Sequence, residues 1–222
     1  GGQRLLGINA MALGQLALGY AEAIPDDPWL DATLYLAHRL MAEGVTIIGG
    51  GATAKSLPGG DFGGGVLCEN GSSPTFRRVT FANCTSDSGG GAVACIESSP
   101  IIENCTFFGN SAPVGSSLYC VDSSPTVTNS LMVLGTGEAV FVDGTGVPEV
   151  TCTDIYGNAG GDALCGTDGG NNFSLDPIFC GMDDPDAPYG ITDDSPCTAG
   201  NSPCGELVGA GPVGCGTGVA EG

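Results

Sequence analysis

Residues 63–81 read GGGVLCENGSSPTFRRVTF, and residues 89–107 read GGGAVACIESSPIIENCTF. The pattern returns as GSSLYCVDSSPTVTNSLM at 115–132 and, in a worn copy, as EAVFVDGTGVPEVTCTDI at 138–155. Aligned on Pro74, Pro100, Pro125 and Pro148, the copies are spaced by 26, 25 and 23 residues. Two residues after each proline stand Phe76, Ile102, Val127 and Val150; seven after stand Phe81, Phe107, Met132 and Ile155. A second column ahead of the prolines holds Cys68, Cys95, Cys120, Val142 and, one turn later, Cys165. A fixed period with apolar residues at matching phases marks one supersecondary unit stacked on copies of itself.

Each copy carries two short runs rich in β-branched and aromatic residues, divided by Gly, Ser, Asn and Pro. Such runs are strands, too short for helices. No leucine consensus returns at the period, and the recurring Gly and Pro would break helical repeats. The expected fold is therefore all-β, a right-handed parallel β-helix of about five coils over 43–165. Its coils would rise about 4.8 Å apart, with like side chains stacked into interior ladders. The glycine triplets at 63–65 and 89–91 suit bends that no Cβ fits.

These repeats resemble those of bacterial secreted right-handed β-helix proteins of the pectate-lyase-like superfamily. GGGAV at 89–93 with Phe107-Phe-Gly-Asn110 is also similar to repeats of chlamydial polymorphic outer-membrane proteins. DPIF at 176–179, DDSPC at 193–197 and GAGPVGC at 209–215 resemble the terminal coil of the secreted family. The resemblance spans roughly residues 43–215. It implies a fold more than a chemistry, because the superfamily holds lyases, hydrolases and adhesins alike.

Ahead of the repeats, residues 1–42 lack cysteine and begin without Met, as a fragment would. The stretch 1–23 has the small-residue ending Ala21-Glu-Ala23 of a signal remnant. It falls short of the ~20 consecutive apolar residues a membrane span needs, so no membrane insertion is expected. Asp27 as N-cap, Pro28 at the first helical position and Gly44 as the stop frame a helix over 28–43. Leu30, Leu34, Ala37 and Met41 share one face, suited to capping the open end of the solenoid. His38, the only histidine, reads as a surface residue of that helix. The excursion 52–62 carries the only lysine, Lys55.

Past Cys165 the period dissolves, so residues 166–222 are assigned to a terminal coil and a loop-rich C-terminal cap. Asp183, Asp184 and Asp186 are its candidate calcium ligands, although no EF-hand spacing is present. No other cofactor is expected. Cys180, Cys197, Cys204 and Cys215 stand where no stacked sheet pins the loops, and a disulfide is expected there between Cys197 and Cys204 on locality.

The 222 residues carry a formal net charge of −20, and from Asp61 onward twenty acidic residues face only Arg77 and Arg78. That balance excludes nucleic acid and anionic lipid as partners. Eleven cysteines point to an oxidising, exported setting. The ladder cysteines can equally be thiols, since free Cys packs as a small apolar residue.

A lyase of this kind needs carboxylates for calcium with an Arg or Lys base, and a hydrolase needs paired aspartates on adjacent coils. Here the neighbour of Arg77 one coil on is Glu103, which reads as a surface ion pair. No column brings two aspartates beside a base, so the reading leans away from an enzyme. The expected role is structural or adhesive: a monomeric segment of an extracellular or cell-surface bacterial protein, binding polysaccharide or a cell-surface protein. The alternative is a lyase or glycoside hydrolase of acidic polysaccharide.

Overall fold

The computed structural model of the chain describes residues 46–48, 51–52, 62–180 and 189–214. They form an all-β, right-handed parallel solenoid of about four turns. An entering coil supplies β1 (Thr46–Ile48) and β2 (Gly51–Ala52). The first complete coil contains β3 (Val66–Cys68), β4 (Thr75–Arg77) and β5 (Thr80–Ala82), followed by the short β6 (Thr85–Ser86). The second repeats them as β7 (Val93–Ile96), β8 (Ile101–Glu103) and β9 (Thr106–Phe108). The third has β10 (Leu118–Val121), β11 (Thr126–Thr128) and β12 (Leu131–Val133). The fourth has β13 (Val140–Asp143), β14 (Glu149–Thr151) and β15 (Asp154–Tyr156). Then follow β16 (Thr167–Gly170) and an antiparallel pair, β17 (Phe179–Cys180) with β18 (Gly190–Ile191).

Three long parallel sheets result, beside the short parallel pair β2–β6: a first of β3, β7, β10 and β13; a second of β4, β8, β11, β14 and β16; a third of β1, β5, β9, β12 and β15. The complete turns number four rather than the expected five, because the first sheet ends at β13. After β15 the chain runs on through 157–166 without adding a strand to it. The helix assigned to 28–43, with His38, lies outside the described residues, as do Lys55 and the stretch 1–23.

The ladders stand in the register that the proline alignment predicts. Phe76 pairs Ile102, then Val127 and Val150. Phe81 pairs Phe107, then Met132 and Ile155. The two phenylalanines stack with centroids 5.0 Å apart. Cys68, Cys95 and Cys120 form the third column with Val142. Cys165 does not continue it as a strand residue; it is half-buried and packs on the open end of the core beside Leu164. Burying each of these side chains contributes about 1.5–3 kcal/mol, which makes the ladder the main source of stability. Contacts with Cys120 and Cys68, and then burial, push the Cys95 thiol up, and burial raises Cys105 to about 12. All four are unbridged thiols, so the ladder cysteines are apolar packing.

The coils turn at corners that need left-handed backbone. Arg78, Asn104, Asn129 and Cys152 make one such column, with φ of 52°, 49°, 49° and 50°. Gly90 bends the entry to β7 with φ of 68°, where a Cβ would lie 2.6 Å from the Val93 oxygen. Buried Asn110, the last residue of the FFGN run, seals another corner. Its Nδ2 donates to the Phe81 oxygen at 3.0 Å, while its Oδ1 accepts from Cys84 N at 2.9 Å. Asn158 repeats this two coils on, binding Met132 O and Gly135 N. These amides satisfy backbone groups that an apolar interior would otherwise strand.

The tail departs most from expectation. Instead of only closing the end, residues 189–214 fold back along the outside of the third sheet. Ala82, Phe108, Leu131 and Val133 point outward from that sheet and form a second core with Tyr189, Ile191, Cys197 and Val208. Asn104 Nδ2 donates to Leu207 O at 2.6 Å, Gly209 N to Asn129 O at 2.8 Å, and Ala210 N to Thr106 Oγ1 at 2.9 Å.

Candidate functional site

The solenoid has three flanks, and the structure treats each differently. On the first sheet the outward column is Leu67, Ala94, Tyr119 and Phe141. Tyr119 is sandwiched between Phe62 and Phe141, with centroids 5.0 and 5.8 Å away, so neither ring face is open to a ligand. Burial, reinforced by the Asp143 carboxylate, pushes the Tyr119 phenol up. The third sheet is covered by the tail.

The second sheet is bare. Alternation along its strands buries Phe76, Ile102, Val127 and Val150 and turns two columns outward. One column is Thr75, Ile101, Thr126, Glu149 and Thr167; the other is Arg77, Glu103, Thr128, Thr151 and Gly170. Arg77 Nε donates to Glu103 Oε2, the cross-coil ion pair that the register predicts. With Arg77 63% exposed, such a pair contributes about 0–1 kcal/mol. Glu103 meets only the Nε of that guanidinium. Arg78 sits apart at the corner.

Two carboxylates elsewhere are held by local hydrogen bonds. Asp122 accepts from Thr145 N and Oγ1 at 2.9 and 3.0 Å, bonds that hold its carboxyl below the usual range. Asp168 accepts from Gly170 N and Asn172 Nδ2. Among the described residues no group of three or more His, Cys, Asp or Glu is placed to hold a metal. The calcium candidates Asp183, Asp184 and Asp186 lie outside the described residues.

The expected Cys197–Cys204 bond is replaced. Cys204 is bonded to Cys152, with Cα atoms 5.8 Å apart, while Cys197 is a buried thiol. Locality fails here because the two tail cysteines serve different neighbours. Cys197 turns into the second core, whereas Cys204 meets the corner that follows β14. Cys152 fills the corner position where the earlier coils have Asn104 and Asn129, and that break in the repeat was the available signal.

A buried polar pair also escaped the sequence reading. Asp154, on β15, is fully buried. Its Oδ2 accepts from Cys197 Sγ at 3.2 Å, and its Oδ1 from Leu175 N at 3.0 Å. Thr80, Thr106 and Leu131 occupy its column in the earlier coils, so an acid there stands out only once the column is known.

Compared with known proteins, the chain matches one family, described as right handed beta helix region, over residues 39–177. No curated protein and no solved structure matches it.

Proposed function

Because the chain belongs to the right-handed β-helix family, we propose that it is a non-catalytic segment of an exported surface protein that presents the second-sheet flank to polysaccharide or a cell-surface protein. The carrying observation is the contrast among flanks: the tail covers the third, stacked rings occupy part of the first, and the second is left bare with threonine hydroxyls in both outward columns. Thr75, Thr126 and Thr167 recur on alternate rungs of one column, with Ile101 and Glu149 between them, and Thr128 and Thr151 stand on adjacent rungs of the other. These hydroxyls offer donors and acceptors to an extended ligand lying along the stack. The Cys152–Cys204 bond supports residence in an oxidising compartment.

A glycan array probed with the purified chain, beside a lyase assay with and without calcium, tests the proposal. Glycan binding that Thr126→Val with Thr128→Val weakens at least tenfold, without chain cleavage, is the expected result. Release of unsaturated or reducing-end products would overturn it in favour of the enzyme, and no binding to glycans or intact cells would overturn it altogether.

A further inference from the structure

We infer that the C-terminal tail is a releasable strap over the third sheet, closed while the Asp154 carboxyl is neutral and loosened when it carries charge. Asp154 lies at the seam: its backbone belongs to β15, and its side chain points away from the solenoid interior into the second core. Its position is fully buried, and its direct hydrogen-bond partners come from the tail (Cys197) and from the segment after β16 (Leu175).

The titratable groups facing it are Asp162 from the loop after β15, Asp176 beside Leu175, and Cys197 from the tail. The first two are acids. Among the described residues no lysine or arginine pairs with Asp154. Burial pushes its carboxyl from the ordinary 3.8 up to about 6; the Leu175 and Cys197 bonds oppose this, while Asp162 and Asp176 reinforce it. The same burial raises Cys197, so it remains a thiol donor rather than a second anion.

An ionised carboxylate without a cation is costly in an apolar seam and regains water if the seam opens. Lifting the tail accomplishes that without unstacking a coil, because the interior core contains neither Asp154 nor Cys197. The Cys152–Cys204 bond keeps the lifted strap attached.

The sign follows from the two states. Asp154 is raised when closed and ordinary when open, so closure is favoured most below about pH 4. That advantage fades as pH climbs through about 6. Between pH 5 and pH 8 the closing constant should fall about tenfold.

The test is labelling of Cys197 on the intact chain with a dipyridyl disulfide, resolved by peptide mass spectrometry, at pH 5 and pH 8. Asp154→Asn supplies the reference, since its Cys197 varies only with thiol chemistry. The wild-type to variant labelling ratio should rise about tenfold between the two pH values, while Cys105, inside the solenoid, stays protected. An equal pH response in both proteins would overturn the proposal. Should Asp154→Asn not fold, amide exchange of wild type corrected for intrinsic rates decides. Protection over 189–214 must fall from pH 5 to pH 8 while β8 and β11 hold, and unchanged protection refutes the strap.

Discussion

The solenoid interior and the core beneath the tail are both apolar, yet they are built on opposite plans. Inside, each residue rests on its equivalent one coil away, as Phe81 rests on Phe107 and Val127 on Ile102. Beneath the tail, partners are singular and far apart in sequence. Asp154 meets Cys197 across 43 positions, and Asn83 meets Tyr189 across 106. The interior is redundant and cooperative, since every rung is supported from above and below. The flank is held by a few individual contacts and by disulfide bonding, the Cys152–Cys204 bond included. Damage should spread in the first region and stay local in the second.

The sharpest way to break that contrast is to put the same charge in each core. Val127→Asp places a carboxylate between Ile102 and Val150 with no partner, and should cost about 3–5 kcal/mol and unfold the central coils. Val208→Asp, equally buried in the native protein, should free the tail and leave the coils folded. Amide exchange distinguishes the outcomes. Protection lost throughout in both variants would mean the tail is integral to the solenoid.

The same contrast explains what could be read from sequence. The ladders and the Arg77–Glu103 pair were legible because a repeat converts spacing into register. The tail has no period to betray its course. A weaker sign existed: TFF at 106–108 and LMV at 131–133 carry apolar residues at consecutive positions, where a half-exposed strand would alternate, and the structure buries them with Thr80–Ala82 at all three positions. Such runs on neighbouring strands of one sheet point to a cover over its outer face. Cys152 in a corner column that holds Asn104 and Asn129 in the two preceding coils was the matching sign for the staple.

The staple supports a prediction of intermediate size. The Cys152–Cys204 bond closes 52 residues of sequence separation, and chain-entropy arguments put such a crosslink at about 2–4 kcal/mol. Cys204→Ser should therefore raise exchange over 189–214 and lower the melting temperature of the tail before that of the coils. A single, uniformly shifted melt would show one cooperative unit instead of two.

The smallest expected effect falls where the periodic region departs from its own pattern. After the third-sheet strands the corner column runs Asn83, Gly109, Leu134 and Gly157, with φ of 53°, 59°, 57° and 68°. Asparagine and glycine accept left-handed backbone, whereas leucine there costs about 1–2 kcal/mol. Leu134 recovers part of this by lying over Gly157, where a Cβ would come within 2.9 Å of Leu134 Cδ2. Being 46% exposed, it gains little else from burial. Leu134→Asn restores the corner chemistry of Asn83 and gives up one half-wet contact, so it should stabilise the coils by about 0.5–1 kcal/mol. A calorimetric melt that rises by a few degrees would show that backbone conformation governs the corners. A melt that falls would show that Leu134 is retained for its packing over Gly157, and that side-chain cover outweighs corner strain even inside the regular stack.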